Sequence, residues 1–260
     1  MDNVTRVAVV TGGAGEIGLA VARRLGPALT IVLVDREQDG IDVALQGPLA
    51  TFPSVAGRVC DVSDHASVGR MVQSVVDAYG RIDVLVNCAG IAGLTPLLDT
   101  SPEAWERTLA VNLTGTFYCA QAVGRAMAAQ RSGHIVNIAS TSGVRAGFAR
   151  AAYGTSKAGV IHLTRQLALE LAPFGVSANG VGPGPVATAL ALEGHTPQMR
   201  ADYHANIPEA RYATPEEVAE AVAFLAAPGT RYINGETLFI DGGFLASGVD
   251  VRSAQALGNA

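Results

Sequence analysis

Cysteine is scarce. Cys60, Cys88 and Cys119 are the only three in 260 residues, and no two of them form a CxxC pair. That spacing argues against a disulfide scaffold or a cysteine-rich zinc site, and for reduced thiols in a cytoplasmic setting. Charge is sparse too: 16% of residues are charged, with 18 Lys+Arg against 23 Asp+Glu for a net −5. With no long basic run, a nucleic-acid partner is not expected. No apolar stretch reaches the roughly 18 residues a membrane span needs. The opening Met1-Asp2-Asn3 lacks the charged start and long apolar middle of a signal peptide. His65, His134, His162, His195 and His204 show no HxxxH or HxH spacing, so no metal site is expected.

What remains is an apolar, glycine-rich chain of one-domain size, 49% hydrophobic with 30 glycines. Short Val/Ile-rich runs read as strands at Val7–Thr11, Thr30–Asp35, Val55–Asp61, Ile82–Asn87, His134–Ser140, Val176–Val181 and Thr237–Ile240. They are apolar on both faces, as parallel strands covered by helices on each side must be. Between them lie segments of helical period. Val68, Met71, Val72, Val75, Val76 and Tyr79 form one stripe of a helix over Asp64–Tyr79. Ser101-Pro102-Glu103 opens a helix that runs to about Arg131, and Thr214-Pro215-Glu216-Glu217 opens another through a capping box. Ala151–Leu171 is a third, stopped by Pro173 and Gly175. The alternation predicts an α/β fold: a Rossmann-type doubly wound parallel sheet of about seven strands, binding ligands beyond the strands' carboxyl ends. One domain is expected over residues 1–246. It includes a substrate lid at about 185–210, rich in Pro, Gly and His, and is followed by a polar tail at 247–260.

The first strand ends in Thr11-Gly12-Gly13-Ala14-Gly15-Glu16-Ile17-Gly18 and flows into a helix over Leu19–Leu25. Gly13, Gly15 and Gly18 match G-x-G-x-x-G. Glycines there let the backbone turn sharply and approach a pyrophosphate seated on the unpaired amides of the helix. Asp35 ends the second strand, where a carboxylate can bond the adenosine ribose hydroxyls and repel a 2′-phosphate. NAD is therefore expected rather than NADP, although Arg36 next door is a group that accepts phosphate.

Tyr153 and Lys157, four apart at the start of the third long helix, share one face. A phenol near its reference pKa of about 10 is a poor base at neutral pH, and a neighbouring ammonium favours its phenolate. Tyr153 can then take or give the proton of a C–OH/C=O pair while hydride moves to or from a nicotinamide. Ser140, at the sheet's carboxyl edge, offers a hydroxyl to hold the substrate oxygen.

Together with Asn87-Cys88-Ala89-Gly90, Asn112 within Val111-Asn112-Leu113, and Pro183-Gly184, these motifs resemble the short-chain dehydrogenase/reductase family in order and spacing, from Val4 to about Phe244. The resemblance implies Tyr153 as general acid/base, Lys157 as its tuner and a ligand of the nicotinamide ribose, Ser140 as the group orienting the reacting oxygen, and Asn112 as the holder of a water linking Lys157 to solvent. It implies Asp61-Val62 at the adenine, Asn87, Ala89 and Gly90 supporting the cofactor side, and Val186 with Thr188 at the carboxamide. It further implies a homotetramer, or a dimer, built on the helices Ser101–Arg131 and Ala151–Leu171 and the last strand. One position departs: Glu16 stands where the family pattern has a glycine, and is expected to point outward from the first turn of its helix.

The activity expected is hydride transfer between NAD(H) and a small secondary alcohol or ketone. Leu94, Val144, Phe148, Leu190, Met199 and Tyr203 are expected around the substrate. By the same resemblance Arg145 and Arg150 fall near the substrate mouth, where an anionic substrate is one reading and solvated loop arginines are the commoner one. A 3-oxoacyl-carrier-protein-type reductase and a non-catalytic dinucleotide-binding protein are the alternatives.

Overall fold

The computed structural model describes residues 5–247; the expected tail lies almost wholly outside them. Seven strands form one parallel sheet in the order β3-β2-β1-β4-β5-β6-β7. They are β1 (Val7–Thr11), β2 (Thr30–Asp35), β3 (Val55–Val59), β4 (Val84–Asn87), β5 (Gly133–Ile138), β6 (Val176–Pro183) and β7 (Thr237–Ile240). All seven expected strands are present, with ends displaced by up to two residues. The order reverses beside β1, where β4 pairs on the side opposite β2, and a crevice opens at that switch point.

Alternation along β1 shows why the sheet needs two covers. Ala8 and Val10 join Leu33, Val86, Val136 and Val181 in one core under α1 (Glu16–Leu25) and α9 (Pro215–Leu225). Val7 and Val9 join Val34, Leu85, Ile135 and Ala178 in a second core on the opposite face, under α3 (His65–Tyr79) and α5 (Gly115–Gln130). The capping box of α9 is formed as expected: Glu217 N–H donates to Thr214 Oγ1 at 3.3 Å, and Thr214 N–H to Glu217 Oε2 at 2.8 Å.

Four features depart from the expected pattern. Helix α1 starts at Glu16, not Leu19, so the glycine turn is itself the helix start. A helix absent from the sequence reading, α2 (Gln38–Gln46), follows β2. It buries only Ile41 and Ala44 and carries Gly40, a stripe too thin to read. The helix opened by Ser101 is interrupted: α4 (Pro102–Leu109) passes through a π-turn at Ala110–Thr114 before α5. Finally, the Pro-, Gly- and His-rich segment at about 185–210, for which the sequence pattern gives no helix, contains α7 (Ala189–Gly194) and α8 (Pro197–Asn206). α6 (Ala151–Leu171) is as expected, closed by a 3₁₀ turn and Gly175 at φ +78.

Candidate active site

The glycine turn is shaped by contacts that leave no room for side chains. Gly12 has φ +61, and a β-carbon there would stand 2.7 Å from Ala89 Cα; one on Gly18 would collide with the Gly12 carbonyl oxygen. Gly15 is the N-cap of α1 and has no side chain to cap it, which leaves amides of the first turn available to an anion. Thr11 Oγ1 accepts from Cys88 N–H and Ala89 N–H at 3.1 and 3.2 Å, pinning the end of β4 to the end of β1.

These strand ends line a cleft of about 410 Å³ that includes Gly12, Gly15, Glu16, Ile17, Gly18, Asp35, Asp61, Val62, Ala89 and Gly90. The Asp35 carboxylate accepts from Ala14 N–H at 3.1 Å and Arg36 N–H at 2.8 Å, so the second strand's end is tied to the glycine turn. Asp61 accepts from both the hydroxyl and the amide of Ser63. The hydroxyl bond holds its carboxyl below the usual range, the Ser63 amide, Arg107 and Arg36 adding to it against the cost of burial. Asn87 stands behind the cleft. Its amide donates to Asn137 Oδ1 at 2.9 Å, and Asn137 donates on to Thr164 Oγ1 at 2.9 Å, tying β4 to β5 and α6. Cys88, Cys60 and Cys119 are free thiols, and burial pushes the Cys88 thiol up to about 11, far from reactivity.

A second cavity, of about 320 Å³, continues from the first and shares Ile17, Thr188 and Leu190 with it. Ser140 and Tyr153 line it together with Pro183, Gly184, Val186, Leu94 and Tyr203. Ser140 Oγ accepts from Ser142 N–H at 3.1 Å, which occupies a lone pair and leaves its proton to be donated into the cavity. Lys157 is buried. Its ammonium lies 5.8 Å from the Tyr153 ring centroid and donates to Ile138 O at 2.7 Å. Neither Lys157 nor Asn112 lines either of these two cavities; both stand behind Gly90, where a β-carbon would come to 3.4 Å from Asn112 Oδ1 and 3.6 Å from Lys157 Nζ. The Asn112 side chain is fully engaged. Its oxygen accepts from Ile91 N–H, and its nitrogen donates to Ile91 O and to Ser156 Oγ at the start of α6. The π-turn holds this amide at the junction of the Gly90 loop and α6.

Three expected substrate residues are elsewhere. Val144 and Phe148 turn outward from their loop, 54% and 85% exposed, because the wall at this level is already formed by Ala146, Gly147 and Arg150. Met199, in the first turn of α8, is also absent from the wall, which on that helix is supplied by Tyr203. Arg145, Arg150, His195 and Phe244 line the cavity instead. Glu16 also differs from expectation. Its carboxylate reaches across the mouth and accepts from Ala189 N–H at 2.7 Å, so a residue of the glycine turn holds the first amide of α7.

A parallel sheet with this order, a glycine-lined cleft at its switch point and Ser140, Tyr153 and Lys157 beside it are the architecture of the Rossmann class. A family model described as enoyl-(acyl carrier protein) reductase matches residues 12–245. The NAD-dependent glycerol dehydrogenase of Listeria innocua is 38% identical over 244 residues, covering 93% of this chain and 95% of its own. Among solved structures, an NAD⁺-bound xylitol dehydrogenase superposes with a TM-score of 0.84 at 33% identity, covering 93% of this chain and all of its own. A point variant of the actinorhodin polyketide ketoreductase, with NADPH, gives 0.87 at 37% identity, covering 92% of this chain and 97% of its own. The chain belongs to the short-chain dehydrogenase/reductase family.

Proposed function

We propose that the protein is an NAD-dependent dehydrogenase/reductase of secondary alcohols and ketones, with Tyr153 as general acid/base. The single observation that carries the reading is that Ser140 and Tyr153 line one cavity with the buried Lys157 ammonium 5.8 Å from the centre of the Tyr153 ring. The chemistry a bound nicotinamide dinucleotide supplies is acceptance or donation of the hydride. The first-turn amides of α1 would seat its pyrophosphate, Asp35 its adenosine ribose, and Asp61-Val62 its adenine. Pro183, Gly184, Val186 and Thr188 line the second cavity together with Ser140 and Tyr153, and Thr188 lines the first as well.

Within that frame the protein's own groups divide the work. Ser140 donates its free proton to the substrate oxygen and fixes its direction. Tyr153 removes the hydroxyl proton when the alcohol is oxidised and returns it when the ketone is reduced. The Lys157 ammonium stabilises negative charge on the phenol oxygen while staying shielded from bulk water. Asn112 positions the Ile91 segment and the start of α6 around them.

The preference for NAD over NADP is supported by charge. The cleft carries Glu16, Asp35, Glu37 and Asp61 against Arg36 and Arg107, and the Arg36 guanidinium is engaged by Glu37 at 2.8 Å. A 2′-phosphate beside Asp35 would meet repulsion, and the adjacent Arg36 already shares its Nε–H with Glu37. Assembly of several copies is supported by apolar side chains left exposed on the elements named for it: Phe117 on α5, Leu169 on α6 and Leu238 on β7. A cytoplasmic setting is in keeping with the free thiols.

The test is NAD-linked turnover across a panel of alcohols and ketones. Tyr153→Phe should lower kcat by about a hundredfold to ten-thousandfold with little change in NADH affinity. A Tyr153→Phe variant that keeps most of the turnover removes the assignment.

A further inference from the structure

The substrate cavity has an imbalance of charge that hydride transfer to a simple alcohol does not require. Its wall includes two guanidinium groups, Arg145 and Arg150, and neither an aspartate nor a glutamate. Among the described residues neither Arg145 nor Arg150 pairs with a carboxylate; other arginines are unpaired too, but these two face a cavity whose wall holds no acidic group.

Arg150 is nevertheless held in place. Nη1 donates to Gly93 O at 3.4 Å and Nη2 to His195 Nε2 at 2.9 Å, while its Cζ lies 5.3 Å from the centre of the Tyr153 ring. Because a guanidinium has only donors, His195 must accept at Nε2 and is therefore neutral; its Nδ1–H then donates to Tyr212 Oη at 2.9 Å. The ring is buried, stacked on Tyr203 at 5.2 Å and crossed edge-on by Tyr212 at 5.9 Å. Burial, with Arg150 and then Arg200, lowers its proton affinity. Arg150 is thus gripped by two neutral acceptors, which fix its position and leave its charge uncompensated beside the reacting phenol. Arg145 stands farther round the wall. It is stacked at 4.2 Å on Phe244 and bonded to Phe244 O, again without a counter-charge.

We propose that the substrate carries a carboxylate: the enzyme acts on a small secondary hydroxy acid or oxo acid whose carboxylate sits on Arg150, with Arg145 as the second cationic contact. This rests on the alcohol/ketone reading of the same site. The cavity, at about 320 Å³ and with walls otherwise formed largely by Ala, Gly, Leu, Pro and Val, suits a short chain or single ring between the acid and the hydroxyl.

Two measurements on the full-length protein test it. In the first, secondary hydroxy acids from hydroxybutyrate to hydroxyhexanoate are compared with their primary amides, in the wild type and in Arg150→Gln. The wild type should favour at least one acid over its amide by about tenfold to a hundredfold in kcat/KM, chiefly through KM, as expected for a charged hydrogen bond gained. In Arg150→Gln that ratio should fall to within about twofold, while Arg150→Lys restores part of it. A merely structural Arg150 would lower acid and amide together and leave the ratio unchanged, which overturns the proposal. In the second, hexanoate and hexanamide are titrated calorimetrically into the NADH complex. Hexanoate should bind at least about tenfold tighter, and equal binding, or none, overturns the anion seat. Turnover of the amides with no acid preferred leaves the dehydrogenase reading standing and removes the carboxylate. If no alcohol is turned over but hexanoate is preferred and the preference depends on Arg150, the seat stands and the dehydrogenase reading fails.

Discussion

The first cleft is framed by the ends of β1, β2 and β4 and the first turn of α1, packed so closely that Gly12 and Gly18 admit no β-carbon. The second cavity adds to the ends of β5 and β6 side chains carried by the 141–150 loop, by α7 and α8, and by Phe244. The first wall is fixed by sheet geometry and is suited to a ligand part that never varies. The second is built from elements whose side chains can be exchanged one at a time, which is how one scaffold comes to serve different alcohols and ketones.

The contrast is best broken from the dinucleotide side, where the largest effect is expected. Gly18→Ala forces a β-carbon onto the Gly12 carbonyl, and overpacking of this kind costs about 1–3 kcal/mol, or about fivefold to a hundredfold in NADH affinity. Fluorescence titration with NADH measures it; an unchanged affinity would mean the turn is not fixed by packing. Asp35→Ser removes the ribose carboxylate. It should shift the NADP/NAD ratio of kcat/KM by about tenfold towards NADP, read from steady-state kinetics with both dinucleotides.

Acid should separate sheet from lid. Burial, with Arg6 and Arg231, holds the His134 imidazole in β5 down at about 4, and burial with Arg150 and Arg200 lowers His195 in the lid. Both stay neutral when folded but take up protons when unfolded, near the ordinary value of about 6.5. The unfolded chain then binds more protons, so stability is intact above about pH 6.5 and is lost as pH falls from there towards the folded values. Urea-unfolding midpoints between about pH 7.5 and 5 should fall in the wild type, and His134→Gln should flatten the slope more than His195→Gln. The smallest effect is expected at Phe148, whose side chain is 85% exposed. Phe148→Ala should leave kcat/KM within about twofold, and a larger loss would place that residue on the substrate after all.

How much of this was legible in the sequence follows the same division. The buried central strands β1, β2 and β4 are near-continuous apolar runs and could be read directly, while the edge strands β3 and β7, only partly buried, were legible from their short β-branched or aromatic runs between turn residues. The glycine turn and Tyr153/Lys157 were legible because their function demands fixed spacing. Helix α2 was not, since two buried residues make no periodic signal. Nor was the π-turn at Asn112, because one extra residue in a helical turn leaves the apolar pattern nearly intact. The substrate wall was the least legible. Neither Val144 nor Phe148 differs in composition from a pocket residue; the direction of each is set by how the 141–150 loop is hung between Ser140 and α6. Arg150 appeared as an ordinary loop arginine, because its partners, Gly93 and His195, are 57 and 45 positions away.

Glu16 joins the two halves. Its carboxylate, rooted beside the phosphate seat, ends on the leading amide of the lid. The negative charge is shared with an N–H dipole on the far bank, so one carboxylate fastens the start of α1 to the start of α7. Truncating that side chain would leave the leading amide of α7 without this acceptor and unfasten one bank from the other.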